Sequence, residues 1–198
     1  MFAYVKDGQL IKVSNEDNVE WEGVTIPHVS LLTPAERHAA GIYDFVHATQ
    51  VPAYHRAGAT TYTIDNVAGT VTEAAEHIPL PLEDVVATRK GELAAYRYQI
   101  ETGGVTVGGS QVATDRESQA MIAGAKLFSD MNPAALVDWK TATGWVQIDA
   151  ATITAIANAV GAHVQACFSA ERAHSAALDA LSTVEGVAAY DITTGWPV

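Results

Sequence analysis

The sequence is poor in cysteine, in basic residues and in long apolar stretches, and each shortage closes off a class of function. Cys167 is the only cysteine among 198 residues, so neither an internal disulfide framework nor a multi-cysteine zinc site can form. Lys and Arg number 11 against 23 Asp and Glu, a formal net charge of −12. The deficit is even: residues 1–80 carry 4 basic and 10 acidic side chains, and residues 81–198 carry 7 and 13. Phosphate contacts need grouped Lys and Arg, so no nucleic-acid partner is expected. No run approaches the ~18 apolar residues of a membrane-spanning helix, so no membrane partner is expected either. Met1–Lys12 lacks the basic segment and apolar core of a signal peptide. Gly-x-Ser-x-Gly, His-Glu-x-x-His and Gly-x-Gly-x-x-Gly do not occur, and neither Gly103-Gly104 nor Gly108-Gly109 leads into the Lys-Ser/Thr of a phosphate loop.

What is present divides at Pro79-Leu80-Pro81, a breaker that separates two compositions. Residues 1–80 read as a small β-rich head. Phe2–Lys6 and Gln9–Val13 flank Asp7-Gly8, a two-residue hairpin turn that wants positive φ at both positions. Trp21–Ile26 reads as a third strand. Leu31–Gly41 carries helix signals: Thr33 as N-cap, Pro34 in the first turn, Glu36 closing a capping box and Gly41 as the stop. Ile42–Val46, Thr60–Asp65 and Thr70–Ile78 read as strands, the last two joined by a turn at Asn66–Gly69.

Residues 81–198 read as a helical module. Leu82, Val86, Leu93, Tyr96 and Ile100 share one face of a helix over 83–101. A hairpin across Gly108-Gly109 follows. Thr114-Asp-Arg-Glu117 then forms a capping-box pattern opening a helix to about Ser129, with Met121, Ile122, Ala125 and Phe128 expected inside. A second hairpin pairs Val137–Lys140 with Trp145–Ile148. The last element is a helix over 150–182 with Asp149 as N-cap. Ile153, Val160, Cys167, His174 and Leu181 recur every seven residues, and Ala157, Val164, Glu171 and Leu178 fall four later, the period of a coiled-coil-like seam. The expected class is therefore α+β: a small β-rich N-terminal unit, then a helical module with two β-hairpins and a long C-terminal helix.

Several groupings admit a chemical reading. His163, Cys167, Glu171 and His174 lie on one stripe at spacings of four, four and three, as in helical metal sites. The favoured reading is polar positions in an apolar seam, which set register. Cys167 lies mid-helix on the apolar face, the place of an inert thiol. Glu73, Glu76 and His77 cluster at a strand end without a recognised ligand spacing, and no carboxylate pair suits sugar hydrolysis. No catalytic residue, metal or cofactor is therefore expected, and the protein does not read as an enzyme. Trp139 and Trp145 either anchor their hairpin on the helices or form a contact site, the first being favoured. A helix of this length is long for the core of such a module, so part of its apolar face is expected to meet either the helix over 83–101 or another copy of the protein. The candidate interface is accordingly Ile153, Val160, Val164, Phe168, Leu178 and Leu181, with Trp139 and Trp145.

Four segments carry a resemblance: Ile100-Glu-Thr-Gly-Gly-Val-Thr-Val107, Thr114-Asp-Arg-Glu-Ser-Gln-Ala120, Trp139-Lys-Thr-Ala-Thr-Gly-Trp-Val146 and Ala162-His-Val-Gln-Ala-Cys-Phe168. In this order the stretch from about Arg89 to Ala180 resembles a domain of unassigned biochemical role that recurs in tail modules of tailed bacteriophages and prophages. The resemblance implies a virion structural component of the tail, a tail-fibre or baseplate adaptor made in the host cytoplasm. Its implied partners are other tail proteins and further copies of itself. The alternative it implies is a tail-fibre assembly chaperone. It supplies no catalytic residues.

Overall fold

The computed structural model describes residues 1–141 and 144–197, and the chain divides into two compact units, Met1–Leu80 and Pro81–Val198. The fold is α+β, β-rich at the N-terminus and ending in a long helix followed by a short one.

In the first unit β1 (Phe2–Lys6) and β2 (Gln9–Ser14) form the expected hairpin, with φ of 51° at Asp7 and 74° at Gly8. The segment Trp21–Ile26 is not one strand. It contributes to a ribbon of β3 (Val19–Trp21) and β4 (Val24–Ile26), turning at Glu22 and Gly23 with φ of 54° and 76°. Helix α1 (Pro34–Ala39) has the full capping box: the Glu36 amide donates to the Thr33 hydroxyl, and the Glu36 carboxylate accepts from the Thr33 amide at 2.8 Å. Strands β5 (Ile42–Val46), β6 (His55–Asp65) and β7 (Thr70–Pro79) complete a five-stranded sheet in the order β2-β1-β5-β7-β6. Only β5 and β7 run parallel. Strand β6 starts five residues before the expected Thr60, the extension being interrupted by a bulge between Ala57 and Thr60.

Side chains of this sheet alternate between two buried clusters, one on each face. Tyr4 and Ile42 pack with Val19, Trp21 and Val29, while Ala3, Val5, Tyr43 and Val71 form the other cluster. Trp21 meets Tyr4 edge-on at 5.3 Å and donates its indole N–H to the Ala40 carbonyl at 2.9 Å. Arg37 is buried, with its two terminal guanidinium nitrogens donating to the Leu32 carbonyl and the Asp44 carboxylate.

The second unit contains α2 (Leu82–Thr102), the hairpin β8 (Val105–Val107) with β9 (Ser110–Val112), α3 (Arg116–Met131), the hairpin β10 (Val137–Thr141) with β11 (Gly144–Ile148), α4 (Ala150–Asp179) and α5 (Val184–Ala189). The middle of the β10–β11 turn lies outside the described residues. Helix α4 packs against both α2 and α3. At 30 residues it is about 45 Å long. It stops at Asp179 rather than at 182, and Thr183 then caps α5, a helix without a clear periodic signature.

Two expectations for α3 fail, each for a physical reason. Its N-cap is Asp115, which accepts from the amides of Glu117 and Ser118. Thr114 is not free to cap, because its buried hydroxyl donates to the Glu101 carbonyl at 2.6 Å and accepts from the Gly104 amide at 2.9 Å. The helix also buries Ile122 and Ser129, leaving Met121 50% and Phe128 46% exposed. The face that looks more apolar in sequence is the outer one.

Candidate interaction surface

The seam of α4 is closed by its own chain. Ile153, Val160, Cys167 and Leu178 are buried in the second unit, so Ile153, Val160 and Leu178 are not available to another molecule in this fold. Their expected place in an interface is corrected: α2 and α3 on either side, together with the C-terminal segment, supply the cover.

The polar members of the seam are each committed inside the unit. His163 donates from Nε2 to the Ile100 carbonyl at 3.1 Å, and the Cys167 sulfur lies 3.8 Å from the same nitrogen. Burial pushes the Cys167 thiol up, against a smaller opposing pull from Arg97, which leaves it a poor nucleophile. His174 has carbonyl Thr194 at 2.8 Å from Nε2 and the Tyr190 hydroxyl at 2.8 Å from Nδ1. A carbonyl only accepts, so Nε2 donates to Thr194, and Nδ1 shares a hydrogen bond with the Tyr190 hydroxyl. Trp196 stacks on that imidazole at 5.5 Å and Tyr96 meets Trp196 edge-on. Glu171 pairs with Arg97 at 3.0 Å. Among the described residues no group of three or more His, Cys, Asp or Glu is placed to hold a metal ion.

The strongest feature of the module went unread in the sequence. Glu101 is completely buried, its carboxylate bound by Arg97, by Arg116 at 2.7 Å and by Gln119 at 3.3 Å. Arg97 in turn reaches Glu171 on α4, so one buried ion cluster ties α2, α3 and α4 together. The i,i+4 pair Arg97/Glu101 and the glutamate interrupting the α4 heptad were the available signals, but either alone suits a solvated helix face. Phe168, expected at an interface, lies 43% exposed with its ring 4.5 Å from the Arg97 guanidinium. It lids the cluster by a cation–π contact.

The remaining candidates sit at the surface. Val164, half-buried, lines an open groove of about 410 Å³ between α3 and α4, with Ile122, Ala123, Ala157, Val160 and Gly161. Leu181 is half-buried beside Pro81, Leu82 and Val86 in a shallow hollow near the Lys90–Asp179 ion pair. Trp139 and Trp145 occupy opposite faces of their ribbon, because Trp139 pairs with Val146 and Trp145 with Lys140. Trp139 is half-buried, whereas Trp145 is 71% exposed with the Lys140 ammonium 5.9 Å from its ring. The expected packing of both onto the helices therefore fails for Trp145. Glu73 and Glu76 point to opposite faces of β7; Glu73 accepts from the Ala48 amide and pairs with His47 at 3.5 Å.

An uncovered apolar surface on α3 belongs to residues that the sequence pattern placed inside or left unread. Met121, Leu127, Phe128 and Met131 on α3 are 50%, 63%, 46% and 71% exposed, and Leu136 beyond it is 56% exposed. This half-exposed, Met-bearing helix face is the candidate interaction surface.

Residues 84–194, more than half of the chain, match the family model described as a domain of unknown function, DUF4376. No curated protein and no solved structure matches the chain significantly.

Proposed function

This chain belongs to the DUF4376 family, and from that premise we propose that it is a structural component of a bacteriophage tail, an adaptor at the fibre or baseplate that works through protein–protein contacts. The observation that carries this reading is the outward apolar face of α3, with Met121, Leu127, Phe128 and Met131 about half or more exposed. Monomeric proteins seldom leave such a surface in water without a partner. The attribution to a phage tail comes from the resemblance of the segments at 100–107, 114–120, 139–146 and 162–168 to tail-module domains. Three features agree with an adaptor: the buried Glu101 cluster fixes the three helices rigidly, the seam polar groups are spent on packing, and no helix among the described residues is long and apolar enough to cross a membrane. The β-rich head would hold one tail component and the helical module another.

The test is the copy number in purified particles, measured by quantitative mass spectrometry. A structural adaptor is present at a fixed small-integer ratio to a tail protein. A fibre-assembly chaperone, the alternative, is abundant in infected cells and missing from particles, and that result would overturn the adaptor reading.

A further inference from the structure

We propose that two copies of the chain pair across a two-fold axis at Gly124, with the outward faces of their α3 helices packed antiparallel. This deepens the contact reading above by naming the surface and its occupant, and it is tested on the isolated chain.

Three observations converge. The exposed stripe is self-complementary in position. Helix α3 spans Arg116–Met131, so Gly124 lies at its midpoint. On a 3.6-residue helix Gly124 also falls in the middle of the stripe, with Met121 and Phe128 to one side and Leu127 and Met131 to the other. An isologous contact requires that residue i of one copy meets residue j of the other and the reverse. An axis at Gly124 does this, setting Met121 against the Leu127–Phe128 pair of the second copy. Gly124 itself has no atom within 4 Å of where a Cβ would stand, so the two backbones can approach closely at the crossing.

The area is sufficient. At roughly 200 Å² for a large apolar side chain, these exposures leave about 450 Å² of the four residues uncovered per copy. Pairing removes on the order of 900 Å² before flanking residues are counted, close to the ~1,000 Å² of a specific interface.

The charges select the orientation. Glu117 is the one acidic residue on the stripe, near the start of α3. Parallel pairing would bring two Glu117 carboxylates together. Antiparallel pairing about Gly124 separates them by about 20 Å at 1.5 Å per residue and opposes the two helix dipoles favourably. Elsewhere the net charge of −12 works against self-association, so this charge-poor stripe is where a second copy meets least repulsion.

The experiment is analytical ultracentrifugation of the full chain over a concentration series, with two variants. The parent is expected to sediment as a dimer at high concentration. Phe128→Asp, at an exposed position that costs the fold little, is expected to sediment at half that mass with an unchanged circular dichroism spectrum. Gly124→Cys under mild oxidation is expected to give a covalent dimer on a non-reducing gel, whereas Thr106→Cys, on the distant exposed hairpin, is not. The native Cys167 is fully buried and does not compete. A parent that stays monomeric at its solubility limit overturns the proposal. So does a dimer that survives Phe128→Asp and fails to cross-link through Gly124→Cys, which would place the contact elsewhere. Either result leaves the particle copy number as a separate question.

Discussion

Removing the charge of Glu101 is the sharpest perturbation of the helical module. The carboxylate has no solvent exposure, and the Arg97 side chain it binds is only 13% exposed. In Glu101→Gln, Arg97 keeps Glu171 at 3.0 Å but loses its shortest partner in a site with little water. Breaking a buried pair from one side costs ~3–5 kcal/mol. The surviving Glu171 contact puts the expected loss near the lower end, about 3 kcal/mol, a large part of the ~5–15 kcal/mol stability of a domain. With a urea slope of about 1.5 kcal/mol/M the midpoint moves down by about 2 M. The assay is urea unfolding followed by circular dichroism at 222 nm, which reports mainly the helices of the second unit. Arg116→Gln serves as the control. Its side chain is 54% exposed, and its removal leaves Arg97 and Gln119 on the buried Glu101 carboxylate, so the change should cost less than Glu101→Gln. Replacing the pair together, Glu101→Leu with Arg97→Met, should recover much of the loss, since apolar substitution of a whole buried pair is often near neutral. A Glu101→Gln midpoint within experimental error of the parent would refute the reasoning, because a carboxylate that can be neutralised freely is not the hub of a buried cluster.

Other outcomes follow from the same geometry. Thr114→Val leaves the Gly104 amide and one acceptor site of the Glu101 carbonyl without their buried partner, so urea unfolding should show a loss of ~1–3 kcal/mol. The Asp115 carboxyl is held below the usual carboxylate range, first by the Ser118 side chain and then by its amide, and Glu36 likewise by the Thr33 side chain and amide. A depressed folded-state pKa means the unfolded chain binds more protons. This part of the stability is therefore present above the ordinary carboxyl pKa and is lost as pH falls through and below about 4. Asp115→Asn should flatten the acid limb of a melting-temperature profile between about pH 5 and 2, and an unchanged limb would count against the cap. Adding EDTA should leave the melting temperature unmoved, and a downward shift would show that the seam histidines hold a metal after all. Val164→Asp should be tolerated better than Val160→Asp, because Val164 is half-buried and Val160 is only 5% exposed; equal losses in a thermal melt would contradict the burial of the seam.

The features legible in the sequence are those whose causes are local. Asp7-Gly8 and Gly108-Gly109 specify their turns, Thr33 to Glu36 specify a capped helix start, and Asp149 caps α4 by accepting from the Thr152 amide. Strands followed by helices gave the α+β class. The misread features depend on distant residues. Glu22 takes a positive φ that glutamate rarely adopts, so the β3–β4 turn was invisible. Thr114 looks like a cap until the Glu101 carbonyl and Gly104 amide claim its hydroxyl. Hydrophobicity pointed Met121 and Phe128 inward, but the position of α4 decides which side of α3 is covered, and that side carries Ile122 and Ser129. The heptad on α4 was a true apolar stripe whose two open partners, the helix over 83–101 or a second copy, periodicity could not separate: α2 of its own unit packs on it, with α3 beside it.

The central claim is that a neighbour covers this face of α3 in the assembled particle. Met1, Met121 and Met131 are the only methionines, and Met121 and Met131 sit on the stripe. Peroxide oxidation followed by peptide mass spectrometry therefore reads the surface directly. In the dilute free chain both should become sulfoxides readily, and in intact particles both should slow by on the order of tenfold or more as the thioethers lose access to oxidant. Equal oxidation rates in particle and free chain would contradict the account.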